Sequence, residues 1–146
     1  MVTQGGGIRV LLVDDHRILR EGLRNCLKRV PNIDVVGEAC DGEDAINCVR
    51  KLQPQVVVMD INMPKMDGVA ATRLMTAQYP NVAVVGLSMS EERHHKVAME
   101  KAGAFGMMTK GKQSIDELCL EIEKAAAMIS SISNLRKTAT NSNETA

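Results

Sequence analysis

Residues 56–60, Val-Val-Val-Met-Asp, constrain this chain more than any other stretch. An unbroken, mostly β-branched apolar run of this length reads as a strand buried on both faces of a parallel sheet. The run ends on Asp60, and Pro64 with Asp67-Gly68 then marks a loop. Asp60 therefore falls at the carboxyl end of a central strand, where open α/β sheets place their ligand sites. On this stretch alone, an aspartate that merely ends a strand or caps the next helix explains the pattern equally well. The remaining strands decide between the two.

Similar apolar runs recur at 8–13, 33–39, 82–87 and 105–109, which with 55–60 makes five strands. Between them lie segments of helical period, at about 16–30, 43–52, 68–78, 91–102 and 114–131. Leu19, Leu23, Cys26, Leu27 and Val30 form the inner stripe expected of the first helix. Arg17, Arg20, Arg24 and Lys28 line another face of it, read as solvated rather than as a basic groove. Ser90 is the expected cap of the fourth helix, and Ser114-Ile-Asp-Glu117 is a capping box for the fifth. Alternating strands and helices define an α/β fold, a doubly wound five-stranded parallel sheet. Right-handed crossovers permit several strand orders, and the pattern does not choose among them.

At 146 residues the chain is expected to hold one domain, residues 8–130, behind a flexible N-terminus at 1–7. Residues 131–146 are rich in Ser, Thr and Asn and read as a disordered tail or the start of an interdomain linker. Lys plus Arg equal Asp plus Glu at 18 each, which argues against strong non-specific nucleic-acid binding by this segment. No apolar run is long enough to cross a bilayer. Cys26, Cys40, Cys48 and Cys119 show no CxxC spacing and read as reduced thiols of a cytoplasmic protein. Ten methionines accompany a single Phe and a single Tyr, so Met must fill spaces that aromatics usually fill.

The strand ends carry the chemistry. Asp14, Asp15, Asp60 and Ser88 end strands, and Lys110 directly follows one. Parallel strand ends lie side by side, so these groups converge. Three carboxylates in one cleft repel each other unless a cation joins them. Mg²⁺ suits such a site, because it takes oxygen ligands and few carboxylates. A carboxylate can also accept a phosphoryl group, and a cation with Lys110 would neutralise charge on the group in transfer.

The sequence resembles the receiver domain of bacterial two-component response regulators. The matching pieces are LLVDDH (11–16), VVVMDINMPKMDG (56–68), VVGLSMS (84–90) and GAFGMMTKG (103–111). The similarity spans about residues 8–129. VDDH followed by RILREGL, together with GLSMS, is similar to the NarL/FixJ branch, whose regulators carry a LuxR-type helix-turn-helix output. The resemblance implies strand order 2-1-3-4-5, the flavodoxin-like order. It implies phosphorylation of Asp60 by a sensor histidine kinase. Mg²⁺ would be held by Asp15, Asp60 and the backbone carbonyl of Asn62, with Asp14 acting largely through metal-bound water. Lys110 would bind the phosphate, and Ser88 would be the switch hydroxyl. It implies self-phosphorylation and self-dephosphorylation rather than turnover, and a homodimer on phosphorylation. Transcription regulation would run through a DNA-binding domain absent from this chain.

Two positions depart from the family pattern. Met107 stands where a switch Tyr or Phe is usual. Gly111 follows Lys110 where many receivers have a cis proline, and a trans bond is expected there, since a cis non-proline bond costs about 2.5–4 kcal/mol. Other classes fit less well. A stand-alone receiver acting by protein contact has the same site. A Mg²⁺-dependent small-molecule phosphatase of the haloacid-dehalogenase-like kind would need a second aspartate two residues after Asp60, where Asn62 stands. A pseudo-receiver would not need intact acidic residues and Lys110. A dinucleotide-binding domain would carry its glycines after the first strand, whereas Gly5-Gly6-Gly7 precede it.

Overall fold

The computed structural model describes residues 6–63, 66–89 and 92–144. Five strands alternate with five helices: β1 (Ile8–Val13), α1 (Arg17–Lys28), β2 (Ile33–Ala39), α2 (Gly42–Leu52), β3 (Val56–Asp60), α3 (Gly68–Gln78), β4 (Ala83–Ser88), α4 (Arg93–Lys101), β5 (Gly106–Thr109) and α5 (Ile115–Glu144). All pairings are parallel, and the order is β2-β1-β3-β4-β5. This is the flavodoxin-like order that the resemblance implied. The expected cap Ser90 and the loop residue Pro64 lie outside the described residues, as does most of the N-terminal segment.

Side chains alternate across the sheet with period two. Val10, Leu12, Val56, Val58 and Val85 face one way and pack with Leu27 of α1 and Leu118, Ile122 and Ile129 of α5. Leu11, Val13, Val57, Met59 and Val84 face the other way and meet Ala45 and Val49 of α2, Ala71 and Met75 of α3, and Met99 of α4. Every residue of β3 is buried, which is why its sequence is continuous rather than alternating. The sheet's edge strand β2 is only half-buried and tolerates Asp34 and Glu38.

Three expectations need correction. The inner stripe of α1 is narrower than its period suggests: Leu23, Leu27 and Val30 pack on the core, while Leu19 and Cys26 are exposed. The first turn of α1 lies near the carboxyl end of the sheet, and there Leu19 borders a small cavity with Asp14 and Lys110. The cationic face of α1 is not simply solvated. Arg20 and Arg24 both pair with Glu38 of β2, at 3.0 and 3.1 Å, and Arg20 also donates to the Asp14 carbonyl.

The largest difference is at the carboxyl end. Of the two expectations for the segment from residue 131, disorder or the start of a linker, the first is not what the described residues show: α5 runs unbroken to Glu144. Polar composition removes the burial that would order a free segment, but these residues extend a helix already nucleated and buried through Ile129. Continuing a helix costs far less than starting one. No Gly or Pro follows Gly111 to stop it.

Candidate functional site

β1 and β3 are adjacent, with Val13 in register with Met59, so the residues following them emerge together. Asp14 and Asp15 come from the first strand end and Asp60 from the second. Gly68 fixes the return of the loop after β3. Its N–H donates to the Ile61 carbonyl at 3.2 Å, and a Cβ there would strike the Asp60 carbonyl oxygen. Asp67 caps α3 by accepting from the Ala70 N–H at 2.8 Å. The Asp67-Gly68 pair thus sets the start of α3 tightly against the backbone of Asp60 and Ile61.

Across the sheet, β4 delivers Ser88, which is fully buried, and β5 delivers Lys110. The Lys110 N–H donates to the Ser88 carbonyl at 2.7 Å, tying the two strand ends together. The Lys110 ammonium lies 2.7 Å from Asp14 Oδ2 and 3.5 Å from Asp60 Oδ2. The second distance is an ion-pair separation without hydrogen-bond geometry, and Asp60 Oδ2 has no hydrogen-bond partner. Asp60 Oδ1 accepts from the Asn62 N–H at 3.1 Å. Asp14, Asp15, Ser88, Asp60 and Lys110, all expected at strand ends, are therefore brought to one end of the sheet.

The electrostatics follow from this packing. Burial pushes the Asp60 carboxyl up to about 6, against the Asn62 N–H and Lys110, with nearby Asp14 adding to the rise. Burial also acts to raise Asp14, but there the Lys110 ammonium and the His16 N–H prevail, and its pKa lies below the ordinary 3.8. Carboxylate oxygens of Asp14, Asp15 and Asp60 lie within 4.8 Å of one another, and His16 contributes a nitrogen to the same cluster. Asp60 Oδ2 is buried without a hydrogen-bond partner, and Asp15 Oδ1 has no hydrogen bond beyond an ion-pair contact with His16 Nδ1. Unsatisfied hard oxygens from few carboxylates fit Mg²⁺.

His16 was not singled out by its sequence. It is the N-cap residue of α1, with its N–H 2.9 Å from Asp14 Oδ1 and its Nδ1 3.3 Å from Asp14 and 3.1 Å from Asp15. The VDDH order is its only sequence signal. His95 of α4 was also missed: it borders an open depression with Asp15, Asn62 and Asp67.

Met107 pairs in register with Gly86 and packs against the core face covered by α4. Among the described residues no peptide bond is cis, and Gly111 takes a left-handed φ of 83°. That conformation is strained for a residue with a Cβ and free of that cost for glycine.

A flavodoxin-like domain with an acidic cleft and one lysine at its strand ends is the class that fold and site define. The chain belongs to the response regulator receiver domain family, whose family model matches residues 10–123. It is 41% identical over 103 residues to the transcriptional regulatory protein DegU of Brevibacillus brevis, covering 70% of this chain and 44% of that protein. It is 40% identical over 104 residues to the response regulator UvrY of Escherichia coli (strain K12), covering 71% and 48%. Among solved structures it resembles a LuxR-family two-component response regulator from Aurantimonas sp. SI85-9A1, with TM-score 0.78, 35% identity, and 83% and 86% of the two chains covered. It also resembles the response regulator domain of Thermotoga maritima CheB, with TM-score 0.77, 31% identity, and 83% and 97% covered. The curated relatives DegU and UvrY are regulators of the NarL/FixJ branch. The chain spans about half the length of these curated relatives. No helix among the described residues is long and apolar enough to cross a membrane.

Proposed function

We propose that this domain accepts a phosphoryl group on Asp60 from a sensor histidine kinase, and that the modification switches its assembly and output. The observation that carries the reading is the convergence of Asp14, Asp15, Asp60 and Lys110 on one cleft. Asp60 Oδ2 is the nucleophile: it is buried, lacks a hydrogen bond and stands beside Lys110. It attacks phosphorus, the P–N bond of the kinase phosphohistidine breaks, and the bonding pair returns to the imidazole nitrogen. Asp14, Asp15, Asp60 and the Asn62 carbonyl would hold Mg²⁺, which when bound supplies charge neutralisation for the transferring group. The Asn62 N–H orients Asp60 through Oδ1. Lys110 turns from Asp14 toward the new phosphoryl oxygens, and the Ser88 hydroxyl donates a hydrogen bond to one of them.

Homodimerisation on phosphorylation follows in this reading through the α1 and α5 faces. Ile18 and Leu19 on α1, and Leu120 and Met128 on α5, are large apolar side chains left exposed. DNA is reached only through an output domain outside this chain, in keeping with relatives named as transcriptional regulators. The α5 residues after 130 would then connect the two domains. Incubation with a phosphorylated histidine kinase core and Mg²⁺ tests the function. Phosphate should pass from the kinase to this chain, and small phosphorylated metabolites should not be turned over. Metabolite turnover without acceptance from the kinase would favour the phosphatase reading.

A further inference from the structure

A second group of ligating side chains stands outside the acidic cleft. Glu92 Oε2 lies 3.0 Å from His94 Nε2 and 3.5 Å from His95 Nε2, at the start of α4. All three atoms fall within 4.8 Å of one another. We propose that Glu92, His94 and His95 form a second divalent-metal site, one for ions that favour imidazole, such as Zn²⁺, Co²⁺ or Ni²⁺, rather than Mg²⁺.

The spacing fits. Metal–ligand bonds of about 2.0–2.1 Å in tetrahedral geometry place neighbouring ligand atoms about 3.3 Å apart, and the two measured separations bracket that value. Two imidazoles and one carboxylate are a donor set for borderline transition ions, whereas Mg²⁺ prefers oxygen. The three protein ligands leave a fourth position for water.

His95 supplies the second observation. Its side chain is only 24% exposed, and its other nitrogen, Nδ1, is buried without a partner. Its Nε2 stands at an ion-pair distance from Glu92 rather than a good hydrogen bond. The ring is thus held by packing with its Nε2 only weakly used, and an ion there would give Nε2 a closer partner than the carboxylate at 3.5 Å. His94 and Glu92 are mostly exposed and close over it from solvent. The helix dipole opposes a cation here, by about two- to fivefold in affinity at an exposed site and up to about thirtyfold at a partly buried one, and the Glu92 carboxylate counters it. Because His95 also borders the depression with Asp15 and Asn62, an ion at this site would fix that ring at the edge of the acidic cleft.

The test uses the untagged chain with Co²⁺ as an optical probe, titrated in saturating Mg²⁺ so that the acidic cleft is filled. One Co²⁺ per chain should bind, displaceable by Zn²⁺. His94→Ala should weaken binding by at least about tenfold, and His95→Ala likewise, while His16→Ala leaves it unchanged. His94 is 73% exposed, so its replacement leaves the fold intact. Absence of binding in Mg²⁺, or binding lost with His16→Ala and kept with His94→Ala, overturns the site.

Discussion

Lys110 is bonded to Asp14 more closely than to Asp60, at 2.7 Å against 3.5 Å. Both partners are largely buried, so Asp14 depends on this ammonium for its charged state. Its lowered pKa gives stability that is present above the ordinary aspartate value and is lost as pH falls through the folded value. Lys110→Ala should therefore reduce unfolding free energy at neutral pH by roughly 1.5–3 kcal/mol, the scale of a hydrogen bond to a charged group. Urea unfolding at a series of pH values should show the deficit shrinking below about pH 4. A deficit independent of pH would assign the loss to packing alone.

Asp60 shows the opposite linkage. Its carboxyl titrates near 6 in the folded chain, so the folded state holds a proton that the unfolded state has released between about pH 4 and 6. Stability should fall as pH rises through that window. Asp60→Asn removes the buried charge while keeping an acceptor for the Asn62 N–H. Without Mg²⁺ at pH 7 it should be more stable than the parent, by up to about 3 kcal/mol for a shift of about two units. Calorimetry of both proteins at pH 4 and pH 7 checks this, since the gain should be nearly absent at pH 4.

Met107 lies over Gly86, and a Cβ on Gly86 would run into its Sδ and come within 2.8 Å of Met99 Cε. Ser88 is two residues along the same strand, on the same face. Both methionines are flexible, so Gly86→Ala should cost about 1–3 kcal/mol, and adding Met107→Ala should restore much of it. Thermal unfolding of the single and double variants tests this coupling.

The same softness bears on switching. Met107 lacks a hydroxyl and can repack with little penalty, so it should transmit the phosphorylated state weakly. Ser88→Ala should strongly reduce phosphorylation-dependent dimerisation in sedimentation, and Met107→Ala much less. Equal losses would make Met107 a full switch residue.

How much of this could be read in the chain depends on what each feature rests on. The run from Val56 to Met59 was legible because a strand covered on both faces leaves no polar alternation to confuse it. Asp14, Asp15, Asp60, Ser88 and Lys110 were legible because strand ends can be located from where such runs stop. The strand order came from resemblance alone, since crossovers do not fix it. His16 and His95 were not legible. Their places depend on helix entry angles, which bring Nδ1 of one to Asp15 and the ring of the other to the cleft edge. The length of α5 was misread because composition measures what a segment can bury by itself. The segment after 130 can continue the helix with little burial of its own when a packed helix already leads into it.

The central claim is that Asp60 is the phosphorylated residue, and intact-mass measurement with a small phosphoryl donor tests it most directly. With Mg²⁺ and acetyl phosphate the chain should gain one acid-stable, base-labile phosphoryl group. Chelation of the metal, or Asp60→Asn, should abolish the gain. Equal phosphorylation of Asp60→Asn would contradict the account.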